Sequence, residues 1–144
     1  MLLTGMDNHN TGLPMIPEVM PRGLRSTPGY EGYLVPEAKT IAEILQANNY
    51  NTYMTGKWHL GFGGEETAAL PFNRGFKKTF ILDATGGDNY SNHSYLPYYN
   101  EAPWFENGKP TKLPDNFYSS KFIVDQMISY ITNEIENDLS LIHI

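Results

Sequence analysis

The sequence predicts an α/β fold, and one whose sheet is incomplete within these 144 residues. Three observations carry this expectation. A capped helix at residues 40–49 runs straight into a β-prone segment at residues 51–55, and helix into strand is half of an α/β unit. A second β-prone segment follows at residues 79–82, and an amphipathic helix spans Ser119 to Asn137. Two strands and two helices do not close a core around a sheet, so several apolar faces are expected to lack partners here.

Residues 1–36 come first, dense in Gly, Pro and Met. Pro14, Pro17, Pro21, Pro28 and Pro36 break any helical register, which predicts a long irregular segment lying over a larger body. Regular structure begins at Thr40-Ile41-Ala42-Glu43, the spacing of a capping box in which Thr40 accepts from the Glu43 amide and Glu43 reaches back. Ile41, Ile44 and Leu45 form the expected apolar face, and Asn48-Asn49 ends the helix.

Asn51 to Thr55, closed by Gly56, is the first strand, and Thr79-Phe80-Ile81-Leu82 the second. A polar, aromatic loop from Asp83 to Asn116 separates that strand from the last helix, with room for one small two-stranded insert. The helix from Ser119 carries Phe122, Met127, Ile131 and Ile135 at helical spacing.

Charge and composition exclude several classes. A net charge of −6 with ten scattered basic residues gives no surplus of clustered Lys and Arg for phosphate neutralisation, so no nucleic-acid partner is expected. An anionic substrate would be drawn in by a local pocket rather than by the overall field. With no cysteine, disulfides and thiolate metal sites are absent from this stretch. No apolar run approaches the roughly 20 residues of a membrane span, so no membrane partner is expected.

The residues that best suit chemistry are Lys57 and His59, in Thr55-Gly56-Lys57-Trp58-His59-Leu60-Gly61. Two apart in an extended segment, their side chains project to the same side. Ligands of α/β sheets gather beyond the carboxyl ends of strands, where this segment would lie. An ammonium beside an imidazole suits a tetrahedral oxyanion: one stabilises charge on non-bridging oxygens, the other moves a proton. On residue types alone, an ordinary half-exposed strand end with Trp58 as packing is the commoner reading.

Other patterns exclude more than they suggest. Gly56-Lys57 is followed by Trp58 rather than Ser or Thr, so it is no phosphate loop, and Gly61-Phe62-Gly63-Gly64 lacks the third glycine of a dinucleotide fingerprint. His9, His59, His93 and His143 show no zinc spacing. Glu65-Glu66 and Glu134, Glu136, Asp138 read as solvated surface, and Asp7-Asn8-His9 as a turn. Ten tyrosines and two tryptophans raise an alternative, a noncatalytic carbohydrate-binding face of stacked aromatics.

Several blocks in order then resemble the type I arylsulfatases, the formylglycine-dependent sulfatases of the alkaline-phosphatase-like superfamily. These are Leu2-Leu3-Thr4-Gly5-Met6-Asp7-Asn8-His9, Pro28 to Leu34, Thr40 to Gly61, Arg74-Gly75-Phe76 and Phe117-Tyr118-Ser119-Ser120. The most specific is Gly-Lys-Trp-His-Leu-Gly. The resemblance implies an alkaline-phosphatase/sulfatase-like sheet domain, partial in this chain, with residues 1–138 an internal piece of the catalytic domain.

It also implies hydrolysis of small aryl or alkyl sulfates or sulfated sugars through a formylglycine made from a C/S-x-P-x-R motif, with a calcium ion. Lys57 and His59 match the family's anion-stabilising lysine and proton-handling histidine. The formylglycine and the calcium ligands fall outside this chain, so the fragment alone is expected to be inactive, and the parent periplasmic or secreted. A phosphonate or phosphodiester hydrolase of the same superfamily remains the rival enzyme. Leu139 to Ile144 resembles a translated sequencing adapter, a non-native tail.

Overall fold

The structure, a computed structural model, describes residues 2–25, 27–84 and 86–135. The expected tail at residues 139–144 and its His143 lie outside them, as do the side chains of Glu134, Ile135, Glu136 and Asp138. Four strands form one mixed sheet in the order β1 (Tyr53–Lys57), β2 (Lys78–Leu82), β3 (Trp104–Glu106), β4 (Lys109–Pro110). Two helices, α1 (Ile41–Ala47) and α2 (Ser119–Ile135), complete the regular structure apart from four short 3-10 turns.

β1 and β2 run parallel, from Tyr53 opposite Lys78 to Lys57 opposite Leu82. The small insert exists as β3 and β4, but it is not separate. β3 pairs antiparallel with β2, placing Ile81 opposite Phe105 and Leu82 opposite Trp104, so the expected pair of strands is a four-stranded sheet. Asn107 (φ 47°) and Gly108 (φ 77°) make the tight turn between β3 and β4, a left-handed pair that Asn-Gly adopts readily.

Side-chain alternation along β2 sorts the core. Ile81 joins Phe105, Leu34, Ala42, Trp58 and Phe76 on one face, while Phe80 and Leu82 join Trp104 and Phe117 on the other. β2 is thus buried on both sides, as expected of a strand between helical layers. α1 covers the first face through Ala42. α2 covers the second, with Phe122 4.9 Å from Phe80 and Tyr130 6.0 Å from Tyr53, ring centre to ring centre.

The capping box forms as read: Glu43 N donates to Thr40 Oγ1 at 3.0 Å and Thr40 N to Glu43 Oε2 at 2.9 Å. The predicted apolar face of α1 does not. Ile41 and Ile44 are 39 % and 56 % exposed, whereas Ala42 is fully buried. The reason is backbone proximity: α1 sits so near Gly75 that a Cβ there would lie 2.2 Å from Glu43 N, and only the small face of the helix fits. Gly75 (φ 91°) is needed for that approach.

On α2, Phe122, Met127 and Ile131 are half-buried as anticipated, but the residue most buried is Tyr130, which the spacing did not single out. Val124 and Ile128 face solvent. Among the described residues no helix is long and apolar enough to cross a membrane.

Residues 2–36 are irregular as expected, with 3-10 turns at Pro17–Val19 and Arg22–Leu24. They are held from outside by Arg74. Its guanidinium, 4 % exposed, donates to Leu34 O (2.9 Å), Val35 O (3.1 Å) and Ala38 O (2.5 Å) and pairs with Glu43 at 3.1 Å. Thr40 Oγ1 in turn donates to Arg74 O at 2.7 Å, tying the cap of α1 to the same residue.

Candidate active site around Lys57 and His59

β1 ends at Lys57, two residues later than predicted, so Gly56 lies inside the strand with φ 115°. The strand end is pinned by Trp58. Its backbone N donates to Leu82 O at 2.9 Å, its indole Nε1 donates to Ala69 O at 2.9 Å, and its ring meets Phe76 edge-on at 5.9 Å. Burying one large aromatic between Lys57 and His59 fixes the backbone from which both project.

Lys57 lies at the carboxyl end of β1, as the α/β reading expected. It lines a cavity of about 210 Å³ whose other walls are Leu2, Leu3, Met54, Trp58, Leu60 and Phe76. Lys57 itself is exposed, so its ammonium is open to an anion arriving from solvent at that cavity.

His59 departs from the sequence reading. Its φ of 59° is left-handed, so the extended run stops at Trp58 and strand alternation no longer sets its direction relative to Lys57. Histidine adopts this region more often than most residues, and such conformations concentrate at functional sites. Its Nε2 lies 2.9 and 3.0 Å from the two carboxylate oxygens of Glu18. The Tyr99 hydroxyl donates to the same carboxylate at 2.8 Å.

Burial pushes the Glu18 carboxyl up, but the bonds from Tyr99 and His59 outweigh it and hold Glu18 below the ordinary glutamate value. Burial, with Glu18 beside it, pushes the Tyr99 phenol far up, so it stays protonated and donates.

The loop after His59 folds around Asp83, the first residue beyond β2. Its fully buried carboxylate accepts from Gly61 N at 3.1 Å and Gly64 N at 2.8 Å. A Cβ on Gly61 would lie 2.7 Å from Asp83 Oδ2, so glycine permits the approach. Burial raises Asp83 above the ordinary aspartate value, partly offset by those amides and by the charge of His59.

Sequence reasoning missed Glu18, Tyr99 and Asp83. Asp83 carried a signal, an acid directly after a predicted strand, where α/β sites collect. Glu18 and Tyr99 carried none, being 41 and 40 residues from His59 in irregular segments. The site does not bring in His93, which meets Tyr95 edge-on, or His9, which meets Tyr30.

The chain matches the Sulfatase family model over residues 1–144. It belongs to the sulfatase family. It is 37 % identical to an uncharacterized sulfatase of Schizosaccharomyces pombe over 92 % of its own length, and 35 % identical to an arylsulfatase of Klebsiella aerogenes over 91 %. It spans about a quarter of each of those relatives, 25 % and 28 %. The crystal structure of Ps i-CgsB shares the fold with a TM-score of 0.67 at 23 % identity, covering 94 % of this chain and 30 % of that one. The α/β sheet of this sulfatase chain thus corresponds to part of that larger domain.

The shifted acids of the chain also set an acid-stability prediction. Glu18 and Glu43 are held below their ordinary value of 4.5, Glu43 because its Thr40, Lys39 and Arg74 bonds outweigh burial. The folded state therefore binds their protons less tightly than the unfolded one. Their stabilisation is complete above pH 4.5 and is lost as pH falls through the lower folded values. Asp83, raised from 3.8, has the opposite sign and costs stability as it ionises with rising pH. Melting temperature followed against pH is expected to fall less steeply below pH 4.5 in Glu43→Gln than in the unsubstituted chain.

Proposed function

We propose that this chain supplies the lysine–histidine half of the active site of a sulfuric ester hydrolase acting on small sulfate esters or sulfated sugars. The observation that carries this is the Gly56-Lys57-Trp58-His59 segment at the carboxyl end of a parallel strand in a chain of the sulfatase family. Lys57 holds a sulfate oxygen and stabilises charge that builds on it in the transition state. His59 moves a proton at the reacting centre as sulfate is released.

The proposal assigns the formylglycine and the calcium ion to residues outside this chain. The sequence has no cysteine and no S-x-P-x-R run. Among the described residues no group of three or more His, Asp or Glu side chains comes together that could hold a metal. The described residues do not fit calcium, and the chain by itself is proposed to be inactive. The parent is proposed to be periplasmic or secreted.

A phosphonate or phosphodiester hydrolase would use a similar clamp, since its substrates are tetrahedral anions of similar size. Steady-state kinetics on the full-length protein that carries this chain, with matched sulfate esters, phosphate diesters and phosphonates, separates the two. Sulfate is expected to lead in kcat/KM by about tenfold or more, the scale of one differential contact. A lead for the phosphorus esters would replace the sulfatase reading.

A further inference from the structure

We propose that Glu18, steadied by Tyr99, is a positioning residue that fixes His59 as its Nε2–H tautomer, leaving Nδ1 as the nitrogen that takes up the proton of the reaction. This rests on the proton-handling role proposed for His59.

The tautomer follows from the donors and acceptors. The Glu18 side chain is 3 % exposed, and both of its oxygens face His59 Nε2, at 2.9 and 3.0 Å. Tyr99 already donates a proton to that carboxylate at 2.8 Å. An ionised carboxylate only accepts, so Nε2 must bring the hydrogen. A neutral ring protonated at Nε2 carries its lone pair at Nδ1, directed away from Glu18.

Glu18 differs from the chain's structural acid. Glu43 is paired with Arg74 and the cap of α1, a permanent charge and backbone groups. Glu18 instead meets a titratable ring and a phenol, drawn from segments 41 and 81 residues away. A buried carboxylate facing an imidazole does two things. It selects the tautomer, and it stabilises the imidazolium once Nδ1 is protonated. In that step a hydroxyl O–H at the reacting centre breaks, its electron pair stays on oxygen, and the N–H bond forms at Nδ1.

The test uses the full-length protein labelled with [15N]histidine, read by nitrogen chemical shifts at a pH where the ring is neutral. In the unsubstituted protein Nε2 is expected to give the protonated, pyrrole-type shift and Nδ1 the lone-pair type. Glu18→Ala is expected to mix the two tautomers and lower kcat by about 10–100-fold, with KM changed far less. Glu18→Gln, whose Oε1 still accepts from Nε2–H, is expected to keep the tautomer and more of the activity. An Nδ1–H tautomer in the unsubstituted protein overturns the proposal outright, even if Glu18→Ala does not fold. So does an unmixed tautomer with unchanged kcat in Glu18→Ala. If His59→Ala leaves turnover intact, the proton-handling role fails instead, whichever tautomer is found.

Discussion

Replacing Lys57 or His59 by alanine in the full-length protein is expected to lower kcat by on the order of 10² or more, the usual scale for one oxyanion contact or one acid/base group. For Lys57 the environment argues for the large end. It stands at the close of β1 beside a cavity otherwise walled by apolar side chains, so few polar groups there compensate for a lost ammonium. Lys57→Arg keeps the charge but spreads it over a planar fork, and is expected to recover only part of the loss.

For His59 the loss has two sources. The proton acceptor disappears, and Glu18 is left buried with Tyr99 as its remaining side-chain donor. Melting temperatures measured beside the rates separate a chemical effect from a folding one. Unchanged turnover in both alanine variants would remove the roles assigned to this pair.

Arg74→Ala is expected to be the most damaging substitution for stability, costing about 3–5 kcal/mol. The side chain donates to three backbone carbonyls and to Glu43 from a site that is 4 % exposed. Its removal strands those acceptors away from water and leaves a half-buried carboxylate without its guanidinium. Arg74→Lys keeps a positive charge but has a single nitrogen for four acceptors, and is expected to cost about 1–3 kcal/mol. Urea unfolding midpoints at constant slope measure both. If Arg74→Ala unfolds within about 1 kcal/mol of the unsubstituted chain, the carbonyl cluster at Leu34, Val35 and Ala38 is not what holds residues 2–36 to the sheet.

The same two networks mark how far the sequence could be read. Local rules gave what local chemistry controls. The Thr40–Glu43 capping box forms because both partners lie within one turn, and β1, β2 and α2 form where apolar periodicity and β-propensity agree. The lysine and histidine stood out as candidates because the block around them is contiguous. Burial was less legible: Ile41 and Ile44 have the spacing of a core face, yet the backbone approach at Gly75 turned Ala42 inward. Arg74 was visible as part of a family-like block, but nothing near it in sequence announced three carbonyls from residues 34–38.

By itself, then, the sequence determined the α/β class, the helix cap, the place of Lys57 near the carboxyl end of a strand and the likeness of its block to a known order. Only the tertiary structure decided that β3 joins β2, that Asp83 gathers the loop after His59, and that Glu18 and Tyr99 meet the imidazole. The physical reason is range. Hydrogen-bond partners four residues apart are set by backbone geometry, whereas a carboxylate 41 residues from its histidine is placed only once the chain between them has packed.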